Sequence, residues 1–129
     1  MPIEVKVLGL ALILQFVQFA LYSVTANMQV GAKFAMGPRD EARELTGVAG
    51  RLKRAMNNHF EGLIMFTIAV LVVTLSEGSN AVTQACAHIY LGARILYVPA
   101  YAQGLSPWRS VIWAVGFIAT VVMTISAVF

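Results

Sequence analysis

Residues 46–76 read TGVAGRLKRAMNNHFEGLIMFTIAVLVVTLS, and this stretch decides the class of fold. From Phe60 to Leu75 it is apolar apart from Glu61, Thr67 and Thr74. Such a run approaches the roughly 20 residues with which a helix crosses about 30 Å of hydrocarbon. With Thr46 as N-cap, a helix through Ser76 is about 46 Å long at about 1.5 Å per residue. That exceeds the hydrocarbon thickness, so its first turns, carrying Arg51, Lys53 and Arg54, project into the membrane interface.

Three further apolar runs flank it: Val7 to Ala26, Ala81 to Tyr101 and Val111 to Phe129. Of the 129 residues 59% are hydrophobic and only 12% charged, whereas a soluble domain is about a quarter charged. Backbone amides in lipid must be bonded within their own segment, which makes these runs helices. The strict alternation over about ten residues that marks barrel strands is missing. The expected fold is therefore all-α, a single domain over 1–129 forming an integral membrane four-helix up-down bundle. Its expected spans are about 5–30, 48–76, 80–103 and 107–129. Val24-Thr25-Ala26 loosely resembles a signal cleavage site, but the run before it is too long for a signal and starts with Glu4 against Lys6.

Charge is concentrated between Lys33 and Glu61, where Lys33, Arg39, Arg43, Arg51, Lys53 and Arg54 gather; the opposite side receives only Glu4, Lys6 and Glu77. The positive-inside rule puts the first and third connections, including the 31–55 segment, in the cytoplasm and both termini outside. Topology thus accounts for the net charge of +3. No nucleic-acid partner is expected, because no interleaved aromatic and basic pattern is present. Gly37-Pro38 breaks the chain after the first span, Gly78 and Asn80 are the expected C-cap and N-cap of the outer turn, and Gly104 ends the third helix. Ser106-Pro107 opens the fourth as N-cap and first-turn proline. The lone Cys86 excludes an internal disulfide and reads as a small core residue.

Ionisable groups in a span are costly and mark the places to look for function. On the second helix Arg51, Arg54, Asn58 and Glu61 fall within about 80° on one face, with Asn57 at its edge and His59 pointing away. On the third, Tyr90, Arg94, Tyr97 and Tyr101 share a face that His88 does not. On the fourth, Arg109 and Ser110 occupy the first turn, where unbonded amides and the helix dipole favour an anion. In an up-down bundle these stripes converge near the cytoplasmic side, Glu61 and Arg94 deepest. Two purely structural readings stand beside this one. Glu61 with Arg94 is an ion pair setting helix register, and Arg51, Lys53 and Arg54 hold lipid phosphates. His59 and His88 read as packed or hydrogen-bonded core histidines, since no second ligand sits at metal spacing and no metal is expected.

Arg54-Ala55-x-x-Asn58-x-x-Glu61, then Arg94-x-x-Tyr97-x-x-x-Tyr101, then Arg109-Ser110, resembles the MAPEG family of membrane-associated proteins in eicosanoid and glutathione metabolism, in particular a bacterial-type member. The resemblance runs from the first span to the last. It implies a homotrimer, here in a bacterial inner membrane, that binds glutathione as thiol co-substrate between subunits near the cytoplasmic face. It further implies that Arg51, Arg54, Asn58, Glu61, Arg94, Tyr97 and Tyr101 hold the tripeptide while Arg109 and Ser110 serve its sulfur. The implied activity is that of a transferase or peroxidase acting on lipophilic small molecules that arrive through the lipid. The sequence departs from the family's pattern at Asn27-Met28-Gln29-Val30, where an arginine is common, at Gly62-Leu63, where a proline is usual, and at Trp113, where some members carry tyrosine. Two functions of other kinds remain open on the residues alone: a small proton-coupled exporter using Glu61, and a trimeric membrane scaffold without activity.

Overall fold

A computed structural model describes residues 1–30, 46–105 and 107–129. The charged connection with Lys33, Arg39 and Arg43, the Gly37-Pro38 break and the Ser106 cap lie outside the described residues. Four helices follow one another: α1 (Ile3–Val30), α2 (Gly47–Leu75), α3 (Ala81–Ala102) and α4 (Trp108–Val128). No strand occurs among the described residues. The widest interface joins α3 to α4 and the next joins α1 to α2; α2 and α3 meet across the middle, and among the described residues α1 does not touch α4.

Both faces of the bundle are apolar. Inside, Phe66 stacks flat on Tyr90 at 4.0 Å between ring centroids, within a core that includes Val7, Ala11, Val70, Val73, Ala87 and Met123. Outside, Phe16, Phe19, Ile64, Ile68, Leu96, Ile118 and Ile125 are exposed. A soluble surface does not carry so continuous an apolar coat. α1 over Ile3–Met28, α2 and α4 are each long and apolar enough to cross a membrane. The chain is therefore an all-α integral membrane bundle. α3 is not among those three, because Thr83, Gln84, His88 and Arg94 dilute its apolar residues; Thr83 and Arg94 are buried inside the bundle instead.

The ends of the helices follow local chemistry, with two corrections to the sequence reading. Asn80 is the N-cap of α3 as expected: its Oδ1 accepts from the Val82 and Thr83 amides at 2.8 and 3.0 Å, and Thr83 Oγ1 accepts from the Asn80 amide at 2.8 Å. α3 ends on Gly104 at φ +68, and Leu105 N–H donates to the Ala100 carbonyl at 2.9 Å, closing the helix as the sequence suggests. At the end of α2, however, the C-cap is Ser76, and Glu77 rather than Gly78 takes the left-handed conformation, at φ 54. Gly78 sits one residue later, its amide donating to Val73, at a place where an added Cβ would lie 3.5 Å from Ala127. The tighter neighbour of such a Cβ is Ser76 Oγ at 3.0 Å, within the turn itself. At the start of α4 it is Pro107 that stands at the N-cap, with the helix beginning at Trp108.

At the end remote from the basic loop, Glu4 is 0% exposed. Its Oε1 accepts hydrogen bonds from Ser79 and Thr83, each at 2.8 Å, tying the start of α1 to the turn between α2 and α3. Read along the sequence it was one of the few outer-side charges; in the fold it is a fastening. Glu4→Ala removes the acceptor for both hydroxyls and should cost about 1–2 kcal/mol. Glu4→Gln, which keeps one carbonyl oxygen, should cost less than half of that. Thermal unfolding of the two variants in one detergent measures the difference.

Candidate functional site

The basic and aromatic residues of α2, α3 and the start of α4 do converge. Tyr101 is the hub at the bundle end facing the loop. Arg54 Nε donates to its hydroxyl at 3.2 Å, and the Arg54 and Arg109 guanidinium carbons lie 5.9 and 4.8 Å from its ring centroid. Four residues deeper, Tyr97 packs against Tyr101 at 5.5 Å and against the Arg94 guanidinium at 4.4 Å. Arg94, only 2% exposed, donates from Nη1 to Asn58 Oδ1 at 3.0 Å and from Nε to His59 Nδ1 at 3.1 Å. Three guanidinium groups thus lie along two tyrosines. Among the described residues no carboxylate is bonded to any of them. Clustered cations with aromatic backing and, among the described residues, no bonded carboxylate have the chemistry to receive an anion.

Several residues stand elsewhere than the sequence suggested. Glu61 is exposed on the outside of the subunit and makes no ion pair with Arg94; the register-setting pair does not form, because Asn58 and His59 reach the guanidinium first. Arg51 is taken up structurally: its Nε donates to the Ala102 carbonyl at 2.7 Å, satisfying the end of α3. Ser110 is exposed at the first turn of α4. The amides there are not free, contrary to expectation. Arg109 N–H donates to Leu105 and Ser110 N–H to Pro107, both at 3.0 Å, because the chain before α4 already winds into the helix. An anion at this end is therefore met by the Arg109 side chain and the dipole rather than by backbone donors.

His59 was missed as a partner. It is fully buried, with Nε2 donating to the Ala11 carbonyl on α1 at 3.0 Å. Because an arginine N–H can only donate, Nδ1 must carry the lone pair, and the ring is the neutral Nε2–H form. His59 thereby links α1, α2 and α3 through one side chain. Its position about 100° around the helix from Asn58 hid this role; the only signal was an ionisable residue inside an apolar span. His88, by contrast, is not the core histidine that the sequence suggested: it is exposed and hydrogen-bonds within its own helix, at the Gln84 carbonyl.

A family model, that of the MAPEG family, matches the chain over residues 7–129. Neither the curated proteins nor the solved structures contain a match.

Proposed function

The chain belongs to the MAPEG family, and from that premise we propose that it is a membrane-bound glutathione-dependent transferase or peroxidase acting on lipophilic electrophiles. The observation that carries the proposal is the cluster of Arg54, Arg94 and Arg109 on Tyr97 and Tyr101, to which no carboxylate among the described residues is bonded. Glutathione brings two carboxylates, an ammonium and a thiol. Arg54, bonded among the described residues only through Nε, suits one carboxylate; Tyr101 and Tyr97 give the peptide an aromatic wall. Arg109 is poised for the sulfur. A thiol of ordinary pKa about 8.5 becomes a nucleophile when a cation stabilises its thiolate, and the end of α4 adds its dipole in the same sense. Ser110 stands one residue on, able to donate a hydrogen bond to the same anion.

Glu61 fits this reading only in an assembly. It lies on an exposed face of α2 with Phe60, Ile64 and Ile68, where a bare carboxylate facing lipid is costly. A homotrimer that seats the tripeptide between subunits would cover that face and bring Glu61 to the ligand's ammonium. The same exposure favours one competitor, a proton-coupled exporter, since no arginine among the described residues holds Glu61. Proton-driven uptake into vesicles that is lost in Glu61→Gln would establish the exporter instead. For the orientation we adopt the basic-loop end, and with it Tyr101 and Arg109, as cytoplasmic, with α3 as a spanning helix sheltered by its neighbours.

Titration of the purified protein with glutathione and with an S-alkyl glutathione tests the site directly. Saturable heat is expected from both, together with a rise in melting temperature, because a ligand at about 100 times its Kd stabilises the native state by about 2.7 kcal/mol. Absence of both effects at millimolar glutathione would leave a bundle without a thiol site.

A further inference from the structure

Arg94 joins the cluster on Tyr97 and Tyr101 from inside the bundle, and a long, flexible side chain does not keep such a place by itself. Two of its three nitrogens are held: Nη1 donates to Asn58 Oδ1 at 3.0 Å and Nε to His59 Nδ1 at 3.1 Å, while Nη2 is buried without a partner. The side chain borders a cavity of about 20 Å³ between α2, α3 and α4, room for about one water-sized group. Of the two holders His59 is the more exacting. An asparagine amide turns its oxygen toward a donor, whereas an imidazole accepts at Nδ1 only while its proton sits on Nε2. The Ala11 carbonyl, 3.0 Å from Nε2, keeps the proton there. Helix α1 thus sets the tautomer on α2, and the tautomer sets the arginine on α3.

We propose that His59 is a positioning residue of the thiol site: through Nδ1 it locks the Arg94 guanidinium against Tyr97 and leaves Nη2 as the nitrogen that serves the anionic ligand. The proposal rests on the thiol reading above. Its physical content differs from that of a helix pin in two respects. A neutral acceptor orients the cation and leaves its charge to the ligand. The arginine is also ordered before the ligand arrives, so binding does not bear the cost of fixing it. Its place matters beyond its own contacts. The guanidinium lies 4.4 Å from the Tyr97 ring, Tyr97 lies 5.5 Å from Tyr101, and Tyr101 lies under Arg109 at 4.8 Å, so a displaced Arg94 disturbs the column that carries the other cations.

Two nearly isosteric variants divide the two bonds of the ring. His59→Asn keeps an acceptor close to the place of Nδ1 and gives up the bond to Ala11; His59→Gln keeps a donor close to the place of Nε2 and gives up the acceptor for Arg94. Titrated with glutathione in one detergent, His59→Asn should bind within about twofold of the parent and His59→Gln about tenfold more weakly, the effect of one charge-assisted hydrogen bond. Both should lose thermal stability. With Arg109 and Ser110 untouched, the loss in His59→Gln should appear as a raised KM for glutathione, with kcat toward an aromatic halide near the parent's at saturation. Affinities that are equal in the two variants, or that merely follow their melting temperatures, overturn the proposal while the thiol reading stands. A parent that binds no glutathione sinks the thiol reading, and this proposal with it. The tautomer is checked without altering His59. The chain has 2 histidines, so ¹⁵N-histidine spectra of His88→Ala report His59 alone. An unprotonated Nδ1 whose resonance moves when glutathione saturates the protein is expected; a protonated Nδ1, or one indifferent to glutathione, overturns the proposal even where neither variant at 59 folds.

Discussion

Arg109→Ala should abolish the ultraviolet thiolate absorbance that glutathione develops on the protein and lower turnover with an aromatic halide by roughly a hundredfold or more, the scale seen when one preorganised group facing a developing anion is removed. The expectation follows from what surrounds the α4 terminus. The first-turn amides of Arg109 and Ser110 are already bonded to Leu105 and Pro107, so neither is in reserve to take over the sulfur. The guanidinium, held 4.8 Å over the Tyr101 ring, is the one full positive charge of α4 at this end. Arg109→Lys keeps the charge but not the planar stacking, and should recover part of the band and less of the rate. Glutathione binding should survive in Arg109→Ala, because Arg54 and the tyrosines are untouched. A thiolate band equal to the parent's would remove Arg109 from the role and leave the dipole alone to explain it.

The second large effect is on stability. His59→Ala should cost about 3–5 kcal/mol, the combined scale of a void left by a buried ring and a buried charged donor left without its acceptor. Three losses coincide there. Arg94 Nε, donating to His59 Nδ1 at 3.1 Å, is left buried without an acceptor; the link from α2 to the Ala11 carbonyl on α1 is cut; and a fully buried ring becomes a void. His88→Ala, on an exposed residue bonded only within its helix, is the control and should stay within about 0.5 kcal/mol of the parent. Thermal unfolding in a single detergent reads both. If the two histidine variants unfold alike, the bridge through His59 does not hold the helices together.

Much of the protein was legible in its residues alone, and for one reason: lipid leaves a chain few options. Runs such as Phe60 to Leu75 and Val111 to Phe129 are long enough to cross hydrocarbon and can satisfy their amides only as helices, so the all-α membrane bundle, and the family whose motif runs through it, followed without coordinates. Helical spacing also put Arg54 with Asn58, and Arg94 with Tyr97 and Tyr101, on common faces. Periodicity, however, reports only the angle at which a side chain leaves its own helix. It says nothing of how neighbouring helices are rotated, nor of where the end of a long, forked side chain comes to rest. Packing alone therefore decided that Arg94 is held by Asn58 and the overlooked His59 while Glu61 turns outward, that Arg51 serves the end of α3, and that Glu4 fastens the far end of the bundle. The partners of a buried charge are chosen by which polar atoms the whole fold brings within about 3 Å, and that distance exists only after the helices have packed.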